Sequence, residues 1–134
     1  MIKALATFHG DIARVTLEQV QDIFFGVVPR AKAFVAKIDG ETVGYTGVTQ
    51  TIVIHDGAPR VDIHHLFIDE THRAKGIGTA LIEAAKTYAL SIDATRLTIG
   101  TDPSNATAIA AYRAMPRLKE RTVSGPWFGI SLTD

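Results

Sequence analysis

The order of strand-like and helix-like segments constrains this fold more than any other feature of the sequence. Three β-rich runs follow one another from residue 31. Asp39-Gly40, a dipeptide that accepts positive φ, joins the first two in a tight hairpin. The runs are AKAFVAKI (31–38), TVGYTGVTQTIVIH (42–55) and RVDIHHLFI (60–68). The pattern then changes to a helix from Gly76 to about Leu90, the strand TRLTIGT and a helix from Ser104 to about Met115. We therefore predict an α/β (α+β) fold with a mixed, mostly antiparallel central sheet and flanking helices.

The parallel part of that sheet follows from the helix after the third run. Leu81, Ala84, Ala85 and Tyr88 recur at helical spacing and give one apolar face that can cover a sheet. A strand, this helix and TRLTIGT form a βαβ unit, which makes the two strands parallel neighbours. Parallel neighbours that diverge at their ends leave a cleft, and helix N-termini face it.

Both ends of the chain add further elements. IKALATF (2–8) suits a short strand, and the following helix is capped by Thr16 and ended by Gly26 and Pro29. The tail GPWFGISL (125–132) suits a last strand. The inward residues expected in that helix are Leu17, Val20, Phe24 and Phe25. In the tail, Trp127 and Phe128 suit core packing better than an interface.

Composition bounds the class of protein. A chain of 134 residues, 46% of them hydrophobic, fits a single domain over 1–134. Fourteen basic residues balance fourteen acidic ones, so we expect no capture of nucleic acid or of an acidic membrane surface. The absence of cysteine excludes a disulfide framework, a thiolate zinc site and a cysteine nucleophile. With no signal peptide pattern and no apolar segment of membrane-spanning length, a cytoplasmic protein is expected.

The segment DETHRAKGIG, between the third run and its helix, suits an anion. Gly76 and Gly78 lack side chains that would block the backbone, the first-turn N–H groups lack partners within the helix, and Arg73 and Lys75 add charge. A Walker loop fails because no window matches it, and a dinucleotide fingerprint fails because Leu81 stands at its third glycine. The remaining alternative is that the glycines only ease a strand-to-helix turn.

Two motifs together carry a family resemblance. Arg73-Ala74-Lys75-Gly76-Ile77-Gly78 resembles the R/Q-x-x-G-x-G/A motif of the GNAT superfamily of N-acetyltransferases, and Asn105 to Tyr112 resembles its N-x-x-A-x-x-x-Y helix. The resemblance implies a GNAT-like sheet with a splayed parallel strand pair. It also implies acetyl-CoA as co-substrate, with its pyrophosphate on the amides of 74–78 and its pantetheine alongside Leu66 to Ile68. The residues it assigns to acetyl-CoA are Leu66, Phe67, Ile68, Arg73, Ala74, Lys75, Gly76, Ile77, Gly78, Thr79, Asn105 and Tyr112.

Acetyl transfer to an amine needs a base, because an alkylamine that titrates near 10.4 costs roughly 4 to 5 kcal/mol to hold neutral at pH 7. Asp62 matches the acidic residue that family members often use near the start of this strand, whereas His64 and His65 titrate closer to neutral pH. Asp62, His64, His65 and water remain open as the base. Regular strand geometry places His64 with Asp62 and His65 on the opposite side, so we expect no metal site there.

The other roles rest on the resemblance. The family has a bulge in this strand that separates it from its parallel neighbour, and the Phe67 amide is the predicted oxyanion donor. Tyr112 is the predicted acid that protonates the leaving thiolate. Asp102 or Ser104 can cap the last helix, which leaves Asn105 to bond backbone or cofactor.

We therefore predict an N-acetyltransferase that moves acetyl from acetyl-CoA to a primary amine by direct attack in a ternary complex. A non-catalytic acyl-CoA sensor or partner module is the alternative, and a nucleotide or phosphate binder is the third hypothesis. Polyamines, amino acids, aminoglycosides and protein N-termini all remain as acceptors. The chain departs from the family in its single N-terminal helix, which leaves the acceptor side either unusually open or completed by a second subunit. It also departs in Pro116, which changes the path after the last helix.

Overall fold

The structure is a computed structural model that describes residues 13–122 and 125–133. The chain divides into two compact units, one ending at Gly100 and one beginning at Thr101, and each is described by itself. The strand predicted at 2–8 lies outside the described residues. The elements of the first unit are α1 (Leu17–Phe25), β1 (Ala31–Ile38), β2 (Glu41–Val53), β3 (Ala58–Ile68), a short 3₁₀ turn (Glu70–His72), α2 (Ile77–Ser91) and β4 (Arg96–Ile99). The second unit contains α3 (Ala106–Ala114).

The sheet has the predicted mixed topology. Its described strands lie in the order β1-β2-β3-β4, with the first three antiparallel and β4 parallel to β3. Asp39 and Gly40 have φ of 50° and 82°, as a two-residue hairpin turn of this kind requires. The α/β class, the meander and the parallel pair are therefore confirmed.

Helix α2 covers one face of the sheet. Leu81 and Ala85 are buried as predicted, while Ala84 and Tyr88 are only half-buried. Ile82 and Ala89 are also buried, so the covered face is turned towards these two residues. Tyr88 lies at the rim, with the Lys32 ammonium 4.7 Å from its ring centroid and the Phe34 ring 6.0 Å away. The main buried side chains of this unit are Val43, Tyr45, Val48, Val61, Ile63, Leu81, Ile82, Ala85 and Ala89.

Helix α1 lies over the opposite face. A Cβ placed on Gly47 would lie 3.7 Å from the Phe24 ring, whereas a Cβ on Gly44 would meet Leu81 of α2. Because these glycines are three residues apart on β2, they point to opposite faces. The Thr16 cap is confirmed as a capping box with Gln19.

The inward face of α1 is narrower than predicted. Val20 and Phe24 are half-buried, but Leu17 is 74% and Phe25 83% exposed, so their inward assignment is wrong. A helix of nine residues has little more than two turns, and these two residues at its ends fall outside the part that meets the sheet.

The second unit corrects one prediction. Asn105, rather than Asp102 or Ser104, caps α3, and its side chain accepts from the Ala108 N–H at 3.1 Å. Asp102 instead accepts from the Ser104 backbone N–H. Helix α3 ends before Pro116, and the bidentate pair of Arg113 with Glu120, at 2.8 Å for each contact, joins its last turn to the following segment.

The tail strand predicted at 125–132 is wrong, because residues 125–133 have no strand pairing. Gly125 has φ of 85°, Pro126 has no N–H to donate, and Gly129 lacks a side chain to pack, so the segment is poorly suited to a ladder. Trp127 and Phe128 are exposed, so the expectation that they pack in a core is also wrong. Among the described residues, no helix is both long and apolar enough to cross a membrane.

Candidate active site

A β-bulge in β3 determines which side chains share a face. His65 pairs with Gly47, but Ile63 pairs with Val48, which leaves His64 as the extra residue. On either side of the bulge the alternation of side chains is therefore opposite. Val61 and Ile63 are buried on the α2 face, while His65 lies on the same face as Asp62.

The prediction that His64 and His65 face opposite sides is wrong for this reason. Their rings stack, with centroids 5.2 Å apart and planes inclined by 19°. Regular alternation assumes one residue opposite one residue, and the bulge breaks that count. No group of three or more potential metal ligands occurs within 13–122 and 125–133.

Asp62 is held between two neighbours. One carboxylate oxygen, Oδ1, accepts a hydrogen bond from the Thr98 hydroxyl of β4 at 2.7 Å. The other, Oδ2, lies 3.8 Å from Nδ1 of His64, within ion-pair range but longer than a hydrogen bond. The His64 side chain is 69% exposed, so the rest of its ring is accessible to a substrate.

His65 is held from the opposite direction. The Tyr45 hydroxyl lies 2.7 Å from Nδ1 of His65, and Thr46 donates to the His65 carbonyl at 2.8 Å. Tyr45 is 5% exposed, and burial raises its pKa to about 12, so the phenol keeps its proton at neutral pH and can donate to the imidazole. Of the two histidines, His64 is therefore the more exposed and His65 the more constrained.

The parallel strand pairing stops next to the bulge. Pairing joins Arg60–Ile63 of β3 to Arg96–Ile99 of β4 and ends there. From His64 to Ile68, β3 has β2 as its single partner among the described strands. Alternate backbone groups along this stretch lack a strand partner and can bind a ligand that lies beside the strand. This stretch includes Leu66, Phe67 and Ile68, which the family resemblance assigns to the cofactor. The irregularity itself lies at His64, three residues before Phe67.

The glycine segment forms an open backbone concavity at the start of α2. Ala74 and Gly76 have φ of 59° and 80°, and positive φ at alternate residues directs neighbouring N–H groups to one side. Gly76 is the N-cap, no side chain caps the helix, and a Cβ built on Gly76 would meet nothing within 4 Å. Lys75 and Thr79 are exposed at its edge, and Arg73 Nε donates to the Ile68 carbonyl at 3.1 Å. Amides, open space and positive charge together fit a pyrophosphate.

The remaining predicted residues lie in the second unit. Asn105 and Tyr112 are seven residues apart, about two turns of α3, and so share one side of the helix. The Asn105 amide is engaged in the cap. Tyr112 is half-buried, and burial raises its pKa, which keeps the phenol protonated at neutral pH.

Sequence reasoning missed Thr98, Tyr45 and Thr46. Each acts through a partner on another strand, and such partners follow only from register. The one available signal was the predicted parallel pairing of RVDIHHLFI with TRLTIGT, which makes a contact between Asp62 and a residue of the second strand expected but does not select Thr98.

Comparison with known proteins identifies the family. Residues 6–115, most of the chain, match the model of the acetyltransferase (GNAT) family. The chain belongs to the GNAT acetyltransferase family. An uncharacterized N-acetyltransferase of Archaeoglobus fulgidus is 36% identical over 83 residues, which cover 60% of this chain and 56% of that protein. The match thus spans little more than half of the relative's length.

Solved GNAT structures share the fold. An aminoglycoside acetyltransferase from an uncultured soil metagenomic sample, in complex with trehalose, has a TM-score of 0.79 at 19% identity, with 97% of this chain and 85% of that chain covered. A ribosomal-protein-alanine N-acetyltransferase from Brucella melitensis biovar Abortus 2308 has a TM-score of 0.69 at 18% identity, covering 97% and 90%. An aminoglycoside N-acetyltransferase in complex with CoA has a TM-score of 0.66 at 19% identity, covering 85% and 86%.

Proposed function

We propose that this protein transfers the acetyl group of acetyl-CoA to a primary amine by direct attack in a ternary complex. One observation carries the proposal: the end of β3, which β4 does not pair with, leads through a short turn into the open amide concavity at 74–78. A donor with a pyrophosphate and an extended amide-containing arm suits those two features in that order. Membership of the GNAT family supports the same donor.

The chain supplies groups for each part of the donor. The amides of 74–78, with Lys75 beside them, would hold the pyrophosphate, and the exposed Thr79 hydroxyl is a further donor. Arg73 would add charge from the position where its Nε contacts the Ile68 carbonyl. The backbone groups of Leu66 and Phe67 on the side of β3 away from β2 would bond the pantetheine amides, as a strand neighbour would.

The acceptor amine would lie at the bulge. Asp62 attracts a cationic ammonium, and a base at Asp62 or His64 removes its proton so that the nitrogen can attack. The acetyl oxygen gains negative charge, and we assign the Phe67 amide to stabilise it. We assign Tyr112, on the basis of the motif, to protonate the thiolate.

Primary amines of small molecules or of peptides are the proposed acceptor class. Several GNAT neighbours with this fold are aminoglycoside acetyltransferases, and another is a ribosomal-protein-alanine N-acetyltransferase. One helix, α1, precedes the meander within the described residues, and it leaves the His64 ring exposed. The panel for testing should therefore contain both polyamine-like small molecules and a peptide N-terminus.

Two measurements test the proposal. Acetyl-CoA, but neither ATP nor NAD, should raise the melting temperature, because ligands that bind only the folded state stabilise it. Release of the CoA thiol should then accelerate with at least one of spermidine, lysine, sisomicin or an alanine-starting peptide. Binding without thiol release would favour the non-catalytic sensor, and a shift with ATP or NAD alone would contradict the donor assignment.

A single acyltransferase domain, a cytoplasmic location and a homodimer complete the proposal. The exposed Trp127 and Phe128 would suit a subunit interface. Sedimentation velocity tests the oligomeric state directly, and a concentration-independent monomer would contradict the dimer.

A further inference from the structure

We propose that Thr98 is a positioning residue for the base of this reaction, and that His64 is the group that takes the proton from the acceptor ammonium. The inference rests on the proposed acetyl transfer. Thr98 would fix the Asp62 carboxylate, and Asp62 would orient the His64 ring.

The contacts form a continuous row across the bulge. Thr98 and Asp62 are register partners of the parallel pair, and the Thr98 hydroxyl donates to Asp62 Oδ1 at 2.7 Å. With Oδ1 engaged, the other oxygen of Asp62, Oδ2, faces Nδ1 of His64 at a distance of 3.8 Å. A negative charge on that side favours the tautomer with the proton on Nδ1, so Nε2 is left with the free lone pair. Because the His64 side chain is exposed, its Nε2 atom can contact the acceptor amine.

Thr98 lies beside the Asp62 carboxylate, at a position where little else restricts the rotamer of that side chain. The pairing of β3 with β4 ends one residue later, at Ile63 and Ile99, and the Asp62 side chain is 41% exposed. A hydroxyl donor at the last but one paired position fixes one rotamer of the carboxylate, next to the stretch of β3 that β4 does not pair with. The backbone ladder alone does not fix this rotamer.

Among the described residues, the ion-pair contact of Asp62 is with His64. By register, Arg60 and Arg96 lie on the same face, two residues along β3 and β4, and Arg60 also contacts the Asp56 carboxylate at 3.4 Å. His65 stacks on His64 but has Nδ1 in contact with Tyr45 of β2. Helix α1 contributes the uncharged Phe24 above Gly47.

The chemical step balances with these groups. His64 Nε2 takes one proton from R–NH₃⁺ and later passes it to water. The neutral nitrogen attacks the thioester carbonyl, so that the C–N bond forms and the C–S bond breaks. The nitrogen loses a second proton as the amide forms, and the thiolate gains one, directly or through the Tyr112 phenol. The sum is one acetamide, one CoA thiol and one released proton.

The test uses the free protein first. Long-range ¹H–¹⁵N spectra of the imidazoles report the tautomer of His64, assigned with His64→Gln. We expect mainly the Nδ1–H tautomer in the wild type, a shift towards the Nε2–H tautomer in Thr98→Val, and recovery in Thr98→Ser. Thr49→Val is the matched control, because Thr49 flanks Asp62 from β2 while the recorded hydrogen bond to the carboxylate comes from Thr98.

Turnover gives the second readout, with whichever of spermidine, lysine, sisomicin or the alanine-starting peptide the wild type acetylates fastest. Thr98→Val should lower kcat about tenfold, the equivalent of one hydrogen bond to a charged group, and leave the KM for acetyl-CoA unchanged. Thr98→Ser and Thr49→Val should stay within about twofold of the wild type.

The outcomes separate the two proposals. An unchanged His64 tautomer in Thr98→Val, or an equal loss of kcat in Thr49→Val, would overturn the role of Thr98 while acetyl transfer by the wild type stands. An inactive wild type that keeps the tautomer pattern would count against the proposed function alone. If Thr98→Val does not fold, Asp62→Asn must abolish the tautomer preference, and a retained preference overturns the inference.

Discussion

At the scale of single residues, the candidate site depends on which backbone groups and side chains are accessible to a ligand. Gly76 combines a φ of 80° with open space where a Cβ would project, so the backbone there is both strained for other residues and accessible to a ligand. His64 is exposed because the bulge adds it to the strand, and Tyr45 is buried against His65. We therefore expect substitutions of the exposed His64 to affect turnover and substitutions of the buried Tyr45 to affect stability.

Gly76→Val should weaken acetyl-CoA binding at least tenfold, because the side chain would occupy the space in front of the amides. Gly57→Val is the matched control, since Gly57 also has positive φ, at 62°, and also has nothing within 4 Å. Both variants should lose about 1 to 3 kcal/mol of stability from backbone strain. Calorimetric titration measures the affinity for acetyl-CoA. Equal affinities in the two variants would contradict pyrophosphate binding in the amide concavity at 74–78.

Tyr112→Phe should keep the affinity for acetyl-CoA and lower the rate of thiol release, by about 10²-fold if the phenol is the sole acid. The raised pKa of Tyr112 keeps its proton in place across neutral pH. Thiol release under saturating donor measures the effect, and an unchanged rate would remove Tyr112 from the mechanism.

Tyr45 should make the protein sensitive to alkali. Burial raises the pKa of Tyr45 from 10.0 to about 12, so the unfolded chain loses this proton first as the pH rises. Stability is therefore fully present below pH 10 and falls, by up to about 2 to 3 kcal/mol, as the pH approaches 12.

Tyr45→Phe should remove that alkaline loss and cost about 1 kcal/mol at pH 7 through the lost hydrogen bond to His65. Urea unfolding at several pH values checks both effects, with Tyr88→Phe as the control for loss of a phenol elsewhere. A Tyr45→Phe variant that loses stability between pH 10 and 12 as steeply as the wild type would refute the assignment.

At the scale of elements, β2 and β3 set the geometry of the site. The bulge brings His65 to the face of Asp62, and the early end of β4 leaves the following stretch of β3 with β2 as its one strand partner among the described strands. Strand β2 approaches β3 closely at Gly44, which pairs with Ile68 at the end of β3, and this contact supports the stretch from His64 to Ile68.

Gly44→Ala and Gly47→Ala should differ sharply. A Cβ at Gly44 would lie 2.9 Å from the Phe67 carbonyl, a backbone atom, and 3.4 Å from Leu81, whereas at Gly47 the nearest atoms are 3.7 Å away. We expect Gly44→Ala to lose about 1 to 3 kcal/mol and Gly47→Ala to stay near the wild type, since overpacking against fixed backbone is costly. Thermal unfolding measures this, and equal stabilities would show that the strand edge moves freely.

The sequence predicted the features that depend on local residue chemistry and connection rules, and it missed the features that depend on strand register. The hairpin at Asp39-Gly40, the Thr16 cap and the parallel pair all follow from local residue chemistry and from connection rules. The bulge could not be located, because His64 and His65 are both polar and give no change in apolar alternation.

The errors have similar physical origins. The contact of Thr98 with Asp62 depends on the register of two strands that are distant in sequence. In the tail, alternating Phe128, Ile130 and Leu132 suggested a strand, but Pro126 and the flanking glycines weaken the ladder that such a pattern needs.

At the scale of the whole molecule, family and fold point to the same donor. The GNAT model matches residues 6–115, and solved GNAT enzymes share the fold at identities below 25%, at which the acceptor does not carry over. The acceptor must therefore be inferred from the chemistry of this chain, and we propose that the pair of Asp62 and His64 favours a cationic amine over a hydroxyl or thiol.

The most direct measurement follows the acetyl group itself. Acetyl-CoA with a deuterated acetyl group is incubated with the wild type and the four amines of the panel, and mass spectrometry detects the products. We predict that the labelled acetyl group appears on an amine nitrogen, with one CoA thiol released for each amide formed, and that Gly76→Val abolishes both signals. Labelled acetate without any labelled amide, or no turnover of a donor that binds, would contradict acetyl transfer to an amine.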